Sequence, residues 1–350
     1  MARRTTIDDV ARLAGVGKVT VSYVLNGRAD QARISSETAE RVLAAARELD
    51  YRPNGLARAL SRQRTDTVAV VFQYADYFSA SSSFINEVMR GVCDGCVEEG
   101  LDVLLHTKPA LDPAAEADAL TDGRVDGVLM LRDADDPTLS AVLARRFPTV
   151  LFFSRSAHPG VPFVDCDNFA GGRLATDHLI GLGHRKIAFL HGSVNSVDSA
   201  ERGAGYRHSL QAHGIEFDSR HVLNFASATD DPRPFIELMT GPDRPTGLFV
   251  WSDDVAFACL RILSELNLDV PDDVSIVGFD SSPACERVTP ALTSVNQPVA
   301  AMARAATKLL AQKLRGPVDD SAQQIVFPLE LDVRASTRAP HPKAAKLTNL

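Results

Sequence analysis

The chain has 350 residues, 45% of them apolar, and a formal net charge of −8. That length supports two or three domains with a sizeable core. No apolar run approaches the roughly 18 residues of a membrane span, and five cysteines in a chain this long do not make a disulfide framework. The charge is uneven: residues 1–64 hold 12 Lys and Arg against 7 Asp and Glu, so +5, and the remainder hold 25 against 38, so −13. A small basic head on an acidic body suggests that the head alone contacts a polyanion. The opening "MARRTTIDDV" has two arginines with no apolar segment behind them, which gives the expectation of a cytoplasmic protein without a signal peptide.

In chain order, Thr6 opens "TIDD", a capping box ahead of Ile7, Val10, Ala11 and Ala14 at helical spacing. Gly15 stops that helix as a C′ glycine does. The next stretch, "VGKVTVSYVLNG" at 16–27, is ambiguous. It is crowded with β-branched residues, and Val19, Val21, Tyr23 and Leu25 alternate with polar Thr20 and Ser22 in the strand period. A helix starting at Lys18 explains more. Gly17 serves as its N-cap, Val21, Val24 and Leu25 share one face, and Asn26-Gly27 closes it. A strand would leave Val24 on the polar face and both glycines without a role.

Ser35 caps a third amphipathic helix with Val42, Leu43, Ala46 and Leu49 facing inward. Three short helices with a tight first turn form a helix-turn-helix arrangement. "YRPN" at 51–54 ends the third helix, because a residue before proline resists the α conformation. Leu56, Ala57 and Leu60 then form a short apolar stripe in a basic segment carrying Arg52, Arg58, Arg62 and Arg64. It is too short to be stable alone, so it reads either as a plain linker or as a hinge that folds only against DNA.

From Thr67 short apolar runs alternate with helical segments. The strand candidates are "TVAVVF" (67–72), "DVLLH" (102–106), "VDGVLML" (125–131), "PTVLFF" (148–153), "KIAFLHG" (186–192), "GLFVW" (247–251) and "VSIVGFD" (274–280). Helices are predicted over 84–99, 169–182, 201–213, 255–266 and 299–314. Repeated β-α units mean parallel sheets covered by helices, and about two such sheets fit the length.

The head, "TTIDDVARLAGVGKVTVSYVLNG…ISSETAERVLAAARELDYRPNGLARAL", resembles the DNA-binding head of the lactose-repressor/galactose-repressor family of bacterial transcription regulators. In the body, "PFVDCDNFAGGRLATDHLIGLGHRKIAFLHG", "SAERGAGY", "SDDVAFACL", "VPDDVSIVGFD", "TPALTSVNQP" and "LELDVRAST" resemble that family's landmarks, so the resemblance runs from Thr5 to about Pro340. It implies a small all-α helix-turn-helix head (1–52), a hinge helix or linker (53–66), and an α/β periplasmic-binding-protein-like core (67–340). The core has two lobes with parallel sheets: about 67–165 with 297–327, and about 166–296 with 328–340. The chain crosses between them near Asp165, Asn296 and Phe327, and 341–350 is a tail.

The resemblance also assigns roles. The helix from Lys18 lies in the major groove, with Lys18, Val19 and Tyr23 at base-reading positions and Thr20, Ser22 and Asn26 at phosphate-contacting ones. Asn54, Ala57, Arg58 and Leu60 serve the minor groove, where Leu60 is the apolar wedge that kinks the operator. Two positions depart from the family. Tyr23 stands where many members carry a guanine-reading arginine, and a tyrosine cannot make that bidentate contact. Gly17 replaces the usual capping serine, which removes one phosphate contact.

Ligands of parallel sheets bind at the carboxyl ends of the strands. Asp280 ends "VSIVGFD", Trp251 and Asp253 follow at the end of "GLFVW", Ser154 follows "PTVLFF", and Arg202 opens a helix after "FLHG". All are expected to face the cleft between the lobes, with Arg202 matching the family's effector-binding arginine and Asp280 an effector-binding or cleft-closing aspartate. Gln297 is a further candidate at a crossing. Trp251 suits stacking on a sugar or a place in the core. Ser154 and Ser252 stand where sugar-binding members often carry Asp and Asn.

"CDGC" at 93–96 falls inside a predicted helix with no second pair, "HRK" at 184–186 lacks metal spacing, and no phosphate-binding loop or catalytic constellation is present. The expectation is therefore a transcription regulator rather than an enzyme, without metal, cofactor or membrane partner. The resemblance implies a homodimeric repressor on a near-palindromic DNA operator, controlled by a small-molecule effector, a sugar or sugar derivative. The alternatives are a purine- or other metabolite-responsive regulator and a cytoplasmic solute-binding protein.

Overall fold

The computed structural model describes residues 5–52, 59, 62–72, 82–107, 112–132, 136–156, 158, 160–193, 196–317 and 323–340. Asn54, Ala57, Arg58 and Leu60 of the expected hinge, and the tail 341–350, lie outside them. The chain divides into two units, one up to Asp66 and one from Thr67.

The first unit contains α1 (Ile7–Ala14), α2 (Lys18–Leu25) and α3 (Ser36–Glu48). At the start of α1 the Asp9 carboxylate accepts from the Thr6 N–H at 3.0 Å and the Thr6 hydroxyl at 2.7 Å. Gly15 closes the helix in the left-handed region, φ +66°. The ambiguous stretch is helical. Val21 and Val24 are buried against Val10, Ala11, Ala14, Val42, Ala45 and Ala46. Burying a valine contributes about 1.5–3 kcal/mol, more than the helix-propensity penalty of under about 1 kcal/mol. Packing therefore outweighs the strand preference of the β-branched residues. One inward assignment in α3 fails: Leu43 is 43% exposed, while Val42, Ala45 and Ala46 form the buried face. Leu43 sits about 100° around the helix from Val42, beyond the edge of the stripe.

The second unit is built on two six-stranded sheets among the described residues. The first has the order β11-β5-β4-β3-β1-β2 and is wholly parallel. Its strands are β1 (Thr67–Phe72), β2 (Asp102–His106), β3 (Gly127–Leu131), β4 (Thr149–Phe152), β5 (Phe163–Cys166) and β11 (Gln324–Phe327). The second has the order β12-β10-β9-β8-β6-β7, with only β12 antiparallel. Its strands are β6 (Ile187–His191), β7 (Val222–Asn224), β8 (Gly247–Val250), β9 (Ser275–Asp280), β10 (Thr293–Asn296) and β12 (Glu330–Asp332). The chain leaves the first sheet after Cys166, returns after Asn296 and leaves again between Phe327 and Glu330. The helices are α4 (Ser83–Glu99), α5 (Pro113–Leu120), α6 (Pro137–Ala144), α7 (Asn168–Gly181), α8 (Val197–Ala212), α9 (Arg233–Thr240), α10 (Asp253–Glu265) and α11 (Val299–Arg315).

Strands 67–72 and 102–106 have the bounds read from the sequence, and the other five are shorter by one or two residues. Helix α8 begins at Val197 rather than 201, because the Ser196 hydroxyl caps it by accepting from Ser199 N–H at 3.3 Å. Two glycines bring α7 and α8 backbone to backbone: a Cβ on Gly172 would lie 2.1 Å from the Arg202 carbonyl oxygen, and one on Gly205 2.2 Å from that of Phe169. Cys93 is exposed and Cys96 buried, so the two sulfurs of "CDGC" face different surroundings. Among the described residues no helix is long and apolar enough to cross a membrane.

Candidate functional site

In the head, burial of Val21 and Val24 turns the opposite face of α2 outward. Val19 is 68% and Tyr23 39% exposed, and Lys18 is exposed while pairing with Asp8 at 2.6 Å. Thr20, Ser22 and Asn26 are half-buried. The Asn26 amide donates to the Ser22 carbonyl at 2.8 Å and approaches its hydroxyl at 3.3 Å, which closes the last turn of α2. The three expected base-reading side chains thus share one open helical surface.

In the core, an open cleft of about 1160 Å³ lies between the two lobes at the carboxyl ends of the strands. Arg202, Asp280, Trp251, Ser154 and Gln297 line it together. Arg202 is 4% exposed. Its Nε donates to Asn168 Oδ1 at 2.9 Å, and its terminal nitrogens donate to the Trp251 carbonyl and, at 3.3 Å, to Gln297 Oε1. Asp198 lies 3.5 Å away on the same helix, and the Phe279 ring sits under the guanidinium at 3.5 Å. Five residues of the second lobe and the crossings therefore fix Arg202 in place. Trp251 is half-buried at the cleft wall, its indole against the backbone of Gly192 and its Nε1 donating to the Phe225 carbonyl at 3.2 Å. The Ser154 hydroxyl donates to the Arg132 carbonyl.

Asp280 carries an unpaired carboxylate in the cleft. It is 7% exposed, yet among the described residues its carboxylate makes no hydrogen bond or ion pair. Its backbone has φ +109° and Ser281 follows at φ +48°, conformations that cost a non-glycine residue energy and that are retained where the surroundings hold them. Burial and the charge of Asp253 push its carboxyl well above the usual carboxylate range, and Arg202 pulls the other way.

Asp253 is placed differently from the expectation. It does not line the cleft. Its carboxylate points into the second lobe and accepts from the Ser294 hydroxyl at 2.6 Å, the Ser282 N–H at 2.7 Å and the Cys285 thiol at 3.0 Å. Burial pushes it up to about 6 against those hydrogen bonds. The neighbouring Asp254 lines the cleft instead. Asp254, Asp198 and Asn168 went unread in the sequence. The available signal was that Asp198 and Asp254 lie in the first turns of helices that open on the cleft, behind the caps Ser196 and Ser252.

At the first crossing, Arg155 donates to Asp165 at 2.7 Å, to the Cys166 carbonyl at 2.8 Å and to Glu201 of α8 at 3.3 Å. It thereby ties the exit of β4 in one lobe to the helix that carries Arg202 in the other. Among the described residues no cluster suited to a metal ion is present.

The sequence pattern of the bacterial regulatory proteins of the lacI family matches residues 6–54, and that of the periplasmic binding protein-like domain matches 176–337. The chain is 36% identical to the HTH-type transcriptional regulator CelR of Thermobifida fusca, over 95% of this chain and 98% of that one. It resembles the solved complex of a transcriptional regulator CelR with cellobiose at 34% identity and TM-score 0.70, covering 95% and 100% of the two chains. The fold also matches the lac repressor dimer bound to operator and an anti-inducer, at TM-score 0.82 and 24% identity, covering 96% and 100%. A helix-turn-helix head joined to a two-lobed core, with similarity along almost the whole chain, means that this protein belongs to the lacI family of DNA-binding transcription regulators.

Proposed function

We propose that this regulator is a homodimeric repressor released from, or locked onto, a near-palindromic operator by a sugar or sugar derivative bound in the cleft between its lobes. The observation that carries this reading is the buried, unpartnered carboxylate of Asp280 beside the fixed Arg202. A hydroxyl donates to such an acceptor and can accept from the N–H groups of Arg202 that its three internal hydrogen bonds leave over. The half-buried Trp251 adds an apolar wall of the kind sugar rings stack on. The likeness to a CelR solved with cellobiose supports the same class of ligand.

Two heads reading two half-sites require a twofold operator. Lys18, Val19 and Tyr23 read bases, Thr20, Ser22 and Asn26 contact phosphates, and the segment 53–66 serves the minor groove, with Leu60 as its wedge. The effector acts by binding one lobe arrangement better than the other, which shifts the population able to hold DNA.

The test is a gel shift on a randomised twofold-site library, combined with thermal shift over cellobiose, other sugars and purines. A site is selected, its binding weakens steeply with salt as counterions are released, and a sugar raises the melting temperature and changes site occupancy. Arg202→Ala abolishes the sugar's effect but not operator binding. Failure to select any site at low salt overturns the DNA reading, and a response to purines alone overturns the sugar.

A further inference from the structure

We propose that the cleft selects an uncharged, hydroxyl-rich effector and turns away phosphorylated and carboxylated ones, through Asp198, Asp254 and Asp280. This rests on the reading that the effector occupies the cleft.

Among the described residues lining the cleft, five are acidic (Asp165, Asp198, Asp230, Asp254 and Asp280) and three are basic (Arg132, Arg202 and Arg261). Each arginine is already engaged. Arg132 is held by Glu116 at 2.6 Å and Asp136 at 3.1 Å. Arg261 pairs with Glu265 at 2.9 Å. Arg202 donates from all three nitrogens to Asn168, the Trp251 carbonyl and Gln297, with Asp198 at 3.5 Å neutralising its charge.

Helix N-termini are the other common seats for a phosphate, and three open on this cleft. All three are occupied from within. Helix α4 is capped by the Ser82 hydroxyl, which accepts from Ile85 N–H at 3.3 Å, and its Ser83 N–H donates to Asp254 at 3.1 Å. Helix α8 is capped by Ser196 and carries Asp198 in its first turn. Helix α10 is capped by Ser252 and carries Asp253 and Asp254 there. Among the described residues each arginine at the cleft has an internal acceptor, the one buried nitrogen among them without a partner is Arg132 Nε, and Asp280 is an acceptor without a donor. A ligand can therefore gain by donating hydroxyl hydrogens and loses by bringing negative charge.

The experiment measures binding of neutral and anionic pairs to the full-length protein by titration calorimetry and thermal shift: glucose against glucose 6-phosphate and glucuronate, and cellobiose against cellobionate. The neutral member binds, and its anionic partner binds about tenfold more weakly or worse. Asp198→Asn, which releases Arg202 from its neutralising partner, narrows that gap. An anionic member binding as tightly as its parent overturns the inference and leaves the cleft reading standing. If no sugar of either kind binds, the sugar reading falls and this inference falls with it.

Discussion

The carboxylate of Asp254, in the second lobe, accepts a hydrogen bond at 3.1 Å from the backbone N–H of Ser83, the first residue of α4 in the first lobe. The bond spans the cleft. Burial raises the Asp254 carboxyl, and the Ser83 N–H and the hydroxyls of Ser82 and Ser83 pull it back toward the charged form. A charged hydrogen bond of this kind contributes roughly 1.5–3 kcal/mol, enough to bias how far two lobes stand apart. Asp254→Ala is expected to widen the ligand-free core in small-angle scattering and to speed amide exchange at Ser83. Unchanged exchange at that amide would reject the bridging role.

Asp253 and Asp254 are neighbours with opposite duties. Removing the Asp253 carboxylate strands three buried donors: the Ser294 hydroxyl, the Ser282 amide and the Cys285 thiol. Asp253→Ala is therefore expected to lower unfolding stability by roughly 2–4 kcal/mol. A urea titration checks this. A loss of effector response without loss of stability would mean that Asp253 touches ligand after all.

The carboxyls of Asp253, pushed up to about 6, and Asp280, raised above its ordinary 3.8, hold protons more tightly in the folded than in the unfolded chain. Between 3.8 and about 6 the folded state is the more protonated. Its stability therefore falls as pH rises through that window. Urea midpoints across a pH series should show this decline, and Asp280→Asn should flatten it. Sugar affinity should change in the opposite sense, since hydroxyls donate to the ionised carboxylate. Stability that climbs over the same window in the wild type and is unaltered in Asp280→Asn would contradict the assignment.

Tyr23 projects from the open face of α2 next to the more exposed Val19. Neither can form the two-pronged contact that selects guanine. Tyr23→Arg is expected to move the preferred base at one operator position toward guanine in a selection from randomised sites. Identical preferences for the two proteins would remove Tyr23 from the reading surface.

The parts of the fold legible in the sequence are those where one segment carries its own signal. Strands 67–72 and 102–106 are built on the apolar runs VAVVF and VLL, and α1 and α3 announce themselves through Thr6 and Ser35. Strands β7, β10, β11 and β12 have only three or four residues. They become strands because the neighbouring strand offers an edge, which no local pattern encodes. Helices α5 and α6 do carry a local signal: each begins with Asp-Pro, and Asp112 and Asp136 cap them as that dipeptide suggests. Arg202 and Asp280 entered through family resemblance and do line the cleft. The choice between Asp253 and Asp254 depends on Ser282, Cys285 and Ser294, roughly thirty to forty residues downstream. A linear reading has no access to that choice.

The contact of Gly172 with Gly205's helix has an implication for how such a sensor changes its ligand over evolutionary time. Arg202 rides on a helix welded along its spine to the one that starts at Asn168, just past the first crossing. Motion imposed on the guanidinium is then delivered to the joint rather than absorbed by a swinging side chain. Taste and transmission are thereby separable. On the proposed reading, Ser154 and Trp251 at the cleft wall can change with the ligand while the two helices stay welded, whereas a methyl group at either glycine would drive the helices apart.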